Sequence, residues 1–197
     1  MEYHIRQYGL SQGALEIEYI EEFFGEFPRR KKSAEVVRRL QGRTHQIVMA
    51  EAALPDDSAT VAPVSFKVSH ELRENETDSK LNDLVARLAG CVTFAERRIL
   101  YSWIGGTRRD WRGQGFFRAL TEQQESWALD HGFDEIVVKT KNRFYGMRGT
   151  LDHLEFDVIL FERDLVDPAE SKVYLSKRLC RAVLERHRSR RDVVNIA

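Results

Sequence analysis

The sequence predicts an α/β fold, an α+β sandwich in which helices flank one mixed, twisted sheet. Three observations carry that reading. Segments with strand-like apolar alternation interleave with segments whose apolar residues recur every three to four positions. The run EIVVKT at 135–140 has a continuous β-branched centre, as a strand covered on both faces requires. The 197 residues, 42% hydrophobic and 31% charged, are enough to build one sizeable core.

The elements follow in order. EYHIRQ at 2–7 reads as a short opening strand. In ALEIEYIEEFFGEF, Ile17, Ile20, Phe24 and Phe27 fall at helical spacing and form a stripe that needs a core. Ser33 is placed to N-cap a second helix, with Glu35 in its first turn and Gly42 just past its end. THQIVMAE and VAPVSFKVSH are strands, the second alternating Val64, Phe66 and Val68 on one face. Pro63 lacks an amide hydrogen and belongs at an edge or bulge.

Residues 70–97 are mostly polar around one helix, SKLNDLVARLAG, with Leu81, Leu84, Val85 and Leu88 on one side. A connection of that length is often functional. The expectation is that this helix covers a substrate cleft or contacts a second copy of the chain. ERRILYSWI then gives a strand, and FFRALTEQQESWALDHG a helix with Phe116, Leu120 and Trp127 inward, closed by Gly132. A short helix over 143–153 and the strands DVILFE and KVYLSK complete the series. One domain is expected over 1–180, followed by a basic C-terminal helix or tail over 181–197.

Composition narrows the function. Basic and acidic residues number 31 each, so the chain is not built mainly to hold nucleic acid, and none is expected as a partner. No apolar run approaches the roughly 20 residues that span a bilayer, so no membrane partner is expected. The N-terminus lacks the apolar core of a signal peptide. Cys91 and Cys180 make neither a disulfide framework nor a metal knuckle, and the histidines form no H-E-x-x-H pair. The expected setting is a reducing cytoplasm, with no metal.

The most informative stretch is YSWIGGTRRDWRGQGFFRAL at 101–120. A strand ends near Thr107, a basic turn follows, and Gly113 and Gly115 directly precede an amphipathic helix. Glycines let backbone N–H groups approach a ligand closely, and the helix start adds unpaired N–H groups and partial positive charge. Arg108, Arg109 and Arg112 add side-chain charge, giving a phosphate cradle. It is not a P-loop, because no Lys-Ser or Lys-Thr follows the glycines, and G-Q-G-F-F-R lacks the third Rossmann glycine.

WRGQGFFRAL resembles the coenzyme A pyrophosphate loop of the GCN5-related N-acetyltransferases, Q/R-x-x-G-x-G/A, with Arg112 at its first position and Gly115 at its fourth. ILYSWIGGT resembles that family's central strand, KTKNRFYGM its next strand end with a frequent Asn at Asn142, and LEFDVILFE and KVYLSKRL its closing strands. The sequence departs from the pattern in three places. Phe117 stands where the loop has Gly or Ala, Glu155 where a Gly precedes Phe156, and Leu151 and Asp152 occupy the part of the 143–153 helix where many members carry a tyrosine.

The resemblance implies acetyl-CoA as co-substrate, held by Gly105, Gly106, Thr107, Arg112, Gly113, Gln114, Gly115, Phe116, Phe117 and Asn142. It implies transfer of an acetyl group to a small-molecule or peptide amine within a ternary complex, and a homodimer as one expected state. A backbone N–H within Gly105–Thr107 would polarise the thioester oxygen. Many relatives carry a Glu at the position of Tyr101, so Tyr101 becomes a candidate for orienting the acceptor or protonating the thiolate. Tyr145 and His153 complete the catalytic candidates, and Asp110 is read as a turn residue. The alternatives are a non-catalytic acyl-CoA-binding or sensing module, suggested by Phe117 and the absent carboxylate, and a nucleic-acid-associated protein using the basic C-terminus.

Overall fold

Hydrophobic alternation resolves into seven strands among the described residues, which in this computed structural model are 3–10, 18–20, 31–54, 57–182 and 184–185. In chain order the elements are β1 (Tyr3–Tyr8), α1 (Ser33–Leu40), β2 (His45–Leu54), β3 (Asp57–Leu72), α2 (Ser79–Leu88), β4 (Ile99–Thr107), α3 (Phe116–Asp130), β5 (Glu135–Lys141), α4 (Tyr145–His153), β6 (Asp157–Glu162) and β7 (Lys172–Arg178). Strand order is β1-β2-β3-β4-β5-β7-β6. β1–β2, β2–β3, β5–β7 and β6–β7 pair antiparallel, and β4–β5 pair parallel. A parallel pair needs a crossover, and α3 supplies it. The expected helix over 14–27 lies mostly outside the described residues. Its Glu18–Ile20 part is helical and Ile20 is buried. The expected basic segment over 181–197 also lies mostly outside them.

Two local expectations meet the backbone differently. Pro63 sits opposite Glu51, where the register slips from Ala50↔Ser65 to Glu51↔Pro63, so a bulge accommodates the missing donor. Ser33 is not the N-cap: Lys32 takes that place with extended dihedrals, and Ser33 is the first helical residue. Capping depends on backbone conformation, and the chain turns one residue earlier than residue preference alone suggests.

The chain divides into two compact units, Met1–His70 with Trp103–Thr121 and Glu71–Ser102 with Glu122–Ala197. In the first unit, Ile47, Met49, Phe66 and Val68 pack with Ile20, Val36 and Leu40 beneath α1. A second cluster joins Val48, Ala50, Ala52 and Val64 to Trp111, Phe116 and Leu120. In the second unit, Leu81, Leu84, Val85 and Leu88 are buried, so α2 packs its apolar face inside the unit. Asp78 caps α2 by accepting from the Lys80 and Leu81 amides.

The second unit also buries charge. Lys177 Nζ lies 2.7 Å from Glu125, with both side chains within 2% of full burial. Removing one member of such a pair strands the other. Lys177→Met is expected to cost about 3–5 kcal/mol in urea unfolding, and Glu125→Leu added to it should restore most of that loss.

Two helices close with the same motif but different residues. After α3, Gly132 adopts φ +72, with Gly132 N–H donating to Leu129 and Phe133 N–H to Ala128. After α4, Glu155 adopts φ +63 with the matching bonds to Asp152 and Leu151. This Schellman closure favours glycine, and a side chain there carries strain of about 1–2 kcal/mol. Glu155→Gly is therefore expected to stabilise the protein by up to about 1 kcal/mol after the added chain entropy, read as a higher melting temperature.

Candidate functional site

The end of β4 is clasped to the bulged part of β3. Arg108 N–H donates to the Val64 carbonyl at 2.9 Å, and Arg108 Nε to the Pro63 carbonyl at 2.9 Å. Ser65 Oγ donates to the Gly106 carbonyl at 3.1 Å and bonds Thr107 Oγ1 at 2.8 Å. At Gly105 a Cβ would meet the Phe66 carbonyl oxygen at 2.9 Å and Lys67 Cγ at 3.2 Å. Only glycine permits that approach, because the nearer atom is backbone and cannot swing aside.

Beyond Thr107 the chain makes a 3-10 turn over Arg109–Trp111, and Trp111 is buried in the α3-facing cluster. Arg112 Nε donates to the Thr107 carbonyl at 3.1 Å, drawing the turn back onto β4. Gln114 Nε2 donates to the Asp110 carbonyl at 3.4 Å. Gly113 and Gly115 adopt φ +78 and +84, and a Cβ on either would find no atom within 4 Å. Their glycine character therefore answers to backbone conformation and to open space in front of the loop. The first helical bond of α3, Ala119 N–H to the Gly115 carbonyl at 3.0 Å, leaves the preceding amides at the helix start without intrahelical acceptors.

Pairing of β4 with β5 runs from Ile99↔Glu135 to Ser102↔Val138 and stops. Backbone groups from Trp103 onward on this side of β4 are therefore not committed to β5. Tyr101 lies inside the paired stretch opposite Val137 and is buried.

Lys67, which the sequence hides, sits beside the loop. Its side chain shares neither the Phe66 nor the Val68 face of β3 and reads as solvent-facing, yet the residue is only 2% exposed. Its Nζ donates to Thr121 Oγ1 at 2.9 Å and stands 4.8 Å from the Phe117 ring centroid. The residue at the motif's Gly/Ala position thus covers a buried ammonium.

The remaining candidates belong to the second unit. Asn142 Nδ2 donates to the Pro168 carbonyl at 3.1 Å, and its Oδ1 accepts from Arg148, so both ends of the amide are engaged, one by the connection between β6 and β7 and the other by α4. Tyr145, in the first turn of α4, is 65% exposed. His153, exposed, is the last residue of α4 and lies about 12 Å further along the axis than Tyr145, from the rise per residue. In β5, Lys139 has its ammonium pushed below the usual lysine range by burial, with Lys172 adding to the effect.

Neither a protein-family model nor a curated protein matches the sequence. Solved structures do. Arabidopsis thaliana NAA60 in complex with acetyl-CoA aligns with TM-score 0.64 at 13% identity, covering 90% of this chain and 98% of that one. The NatC complex bound to Gag peptide and CoA aligns with TM-score 0.64 at 13% identity, covering 91% and 100%. The ribosomal-protein-S18-alanine N-acetyltransferase from Escherichia coli aligns with TM-score 0.58 at 10% identity, covering 89% and 94%.

Gly105→Val is expected to destabilise the protein by about 1–3 kcal/mol through overpacking against β3, measured by thermal unfolding. The likeness over nearly the full length of each chain, together with the strand order and the loop, gives this protein the GCN5-related N-acetyltransferase fold.

Proposed function

We propose that the chain is an acetyl-CoA-dependent N-acetyltransferase acting on a small-molecule or peptide amine. The observation that carries the reading is the loop Arg112–Gly115: two left-handed glycines in a basic turn, with open space where a Cβ would lie, directly before the start of α3. No Cβ intrudes there, and a helix start has amides without intrahelical acceptors, which suits a pyrophosphate. Acetyl-CoA, when bound, supplies an activated acyl group as a thioester. The solved structures crystallised with acetyl-CoA or CoA support the same choice.

In this reading Arg112, Gly113, Gln114 and Gly115 bind the pyrophosphate through backbone amides and charge. The backbone of Gly105–Thr107, held by Ser65 and Arg108, orients the thioester and offers an N–H to the oxygen that becomes negative. A neutral amine nitrogen forms the new N–C bond as the C–S bond breaks, and the proton that nitrogen loses ends on the departing sulfur. The balanced products are an amide and a free thiol. Positioning two reactants is worth roughly 7–11 kcal/mol in favourable cases, so a strong general base is not required. Tyr101 is buried in the paired part of β4 and is assigned to packing. The exposed cysteines Cys91 and Cys180 suit a reducing cytoplasm.

Phe117 favours a second reading, a non-catalytic acyl-CoA sensor, because its ring and Lys67 fill the place that a small residue leaves open. Calorimetric titration with acetyl-CoA and an amine screen for thiol release separate the two readings. Catalysis predicts binding with release; a sensor predicts binding alone. Arg112→Ala with Gly115→Asp should weaken acetyl-CoA binding at least about 10-fold, with circular dichroism showing that the variant remains folded. Unchanged affinity in that folded variant would place the coenzyme elsewhere.

A further inference from the structure

Every lysine of the chain lies among the described residues, and they differ in what meets the ammonium. Lys31 pairs with Glu35, Lys141 with Glu170, Lys172 with Glu162 and Lys177 with Glu125. Lys67 is buried and bonded to Thr121, while Lys32 and Lys80 are exposed. Lys139 alone is partly buried without a carboxylate in ion-pair range. Its Nζ faces the Tyr174 ring, 5.5 Å from the centroid.

The cause is that other donors hold the carboxylates. Lys139 is the first residue of β5 beyond its last β4 partner, since pairing ends at Ser102↔Val138. It stands opposite Tyr174 of β7, and Tyr101 of β4, opposite Val137, lies two residues back on the same face. The other charged neighbours are Asp83 and Arg87 from α2, Glu162 from β6 and Lys172 from β7. Arg87 holds Asp83 at 2.9 Å and also bonds Glu162. Lys172 reaches Glu162 at 3.1 Å, and the Tyr174 hydroxyl donates to it at 3.2 Å. Burial first, then Lys172, and then Arg87 favour the neutral Lys139 amine; Asp83 and Glu162 oppose them without reversing the direction. The surface around it is open, with the Asp83 and Lys172 side chains 53% and 44% exposed.

We propose that Lys139 is an acylation site, the lysine of this chain that most readily takes an acyl group from an acyl thioester. The inference goes beyond the acetyltransferase reading and does not need the coenzyme loop, because the groups around Lys139 all lie in the second unit. The nucleophile is the neutral amine, whose share at neutral pH desolvation and like charge increase. Nζ attacks the thioester carbonyl carbon, an N–C bond forms as the C–S bond breaks, and the Nζ proton passes to the departing sulfur. The products are an acylated lysine and a free thiol. The side chain loses its charge, which ends its repulsion with Lys172 and Arg87.

The test incubates the full chain with acetyl-CoA and, in parallel, with S-acetyl-N-acetylcysteamine, a thioester without a nucleotide. Peptide mass mapping over a pH series reads acetyl incorporation at each lysine. With both donors, Lys139 is expected several-fold ahead of Lys32 and Lys80 at neutral pH. The lead should shrink as pH rises, because ordinary lysines then also lose their protons. Lys172→Gln removes a like charge and frees Glu162 to hold an ammonium, so the lead should fall. Asp83→Asn removes an opposing anion, so the lead should grow. Circular dichroism checks that both variants are folded. Equal labelling of Lys139 and Lys80, no labelling of Lys139, or a lead indifferent to pH and to Lys172→Gln overturns the proposal. A lead seen with acetyl-CoA alone also overturns it, by assigning the reaction to placement of the coenzyme. Calorimetry with acetyl-CoA tests the loop separately: a folded protein that binds none yet labels Lys139 first loses the acetyltransferase reading and keeps this one.

Discussion

Where β3 bulges opposite Glu51, its carbonyls turn toward the incoming end of β4, and Arg108 takes two of them, one by its amide and one by its side chain. Ser65 adds a bond to Gly106 and another to Thr107. Without this clasp, the backbone that follows Ser102 would have no fixed direction once its β5 partner is gone. With it, the last five residues of β4 are held to β3 beyond the end of their pairing with β5 at Ser102. The bulge, the proline that suits it and the glycine that permits close approach are thus one device.

The loop that follows inherits its geometry from the same clasp. Trp111 anchors the turn in the core beneath α3, and Arg112 reaches back to the Thr107 carbonyl, so Gly113 and Gly115 can adopt left-handed conformations. The cost is local conformational freedom, lost in a segment that buries little apolar surface of its own. Lys67 is the least expected member. A lysine ammonium beneath a helix is costly unless it is hydrogen-bonded and faced by an aromatic ring, and Thr121 and Phe117 provide both. Phe117, which departs from the family's loop pattern, therefore has a partner that explains its size.

Charge elsewhere is arranged for order. In the second unit Glu162 is drawn two ways: burial pushes its carboxyl up, while bonds from Arg87, Lys172 and Tyr174 together hold it below the usual range. Burial and the same carboxylate raise the Tyr174 phenol well above its ordinary value. Glu162 thus contributes stability at neutral pH that is lost as acid protonates it. The group ties α2 to β6 and β7, which places the polar insertion of the sequence firmly within its unit.

Strand and helix order, the inward residues of α2 and α3, the bulge at Pro63 and the glycine loop were legible because each depends on short-range rules: apolar period, missing donors and backbone permissiveness. The expectation of a phosphate ligand followed from the same rules, from a glycine pair before a helix start beside three arginines. What the sequence by itself did not determine are contacts between residues far apart in the chain. That Tyr101 is buried against β5, that Asn142 commits its amide to Pro168 and Arg148, that Lys67 lies beneath Phe117, and that Lys31 and Arg39 meet at Trp103 all depend on which faces the strands turn toward which helices. Alternation says that neighbouring side chains point oppositely; only packing decides which side is covered, and hence which charge is buried, paired or left to meet a ligand.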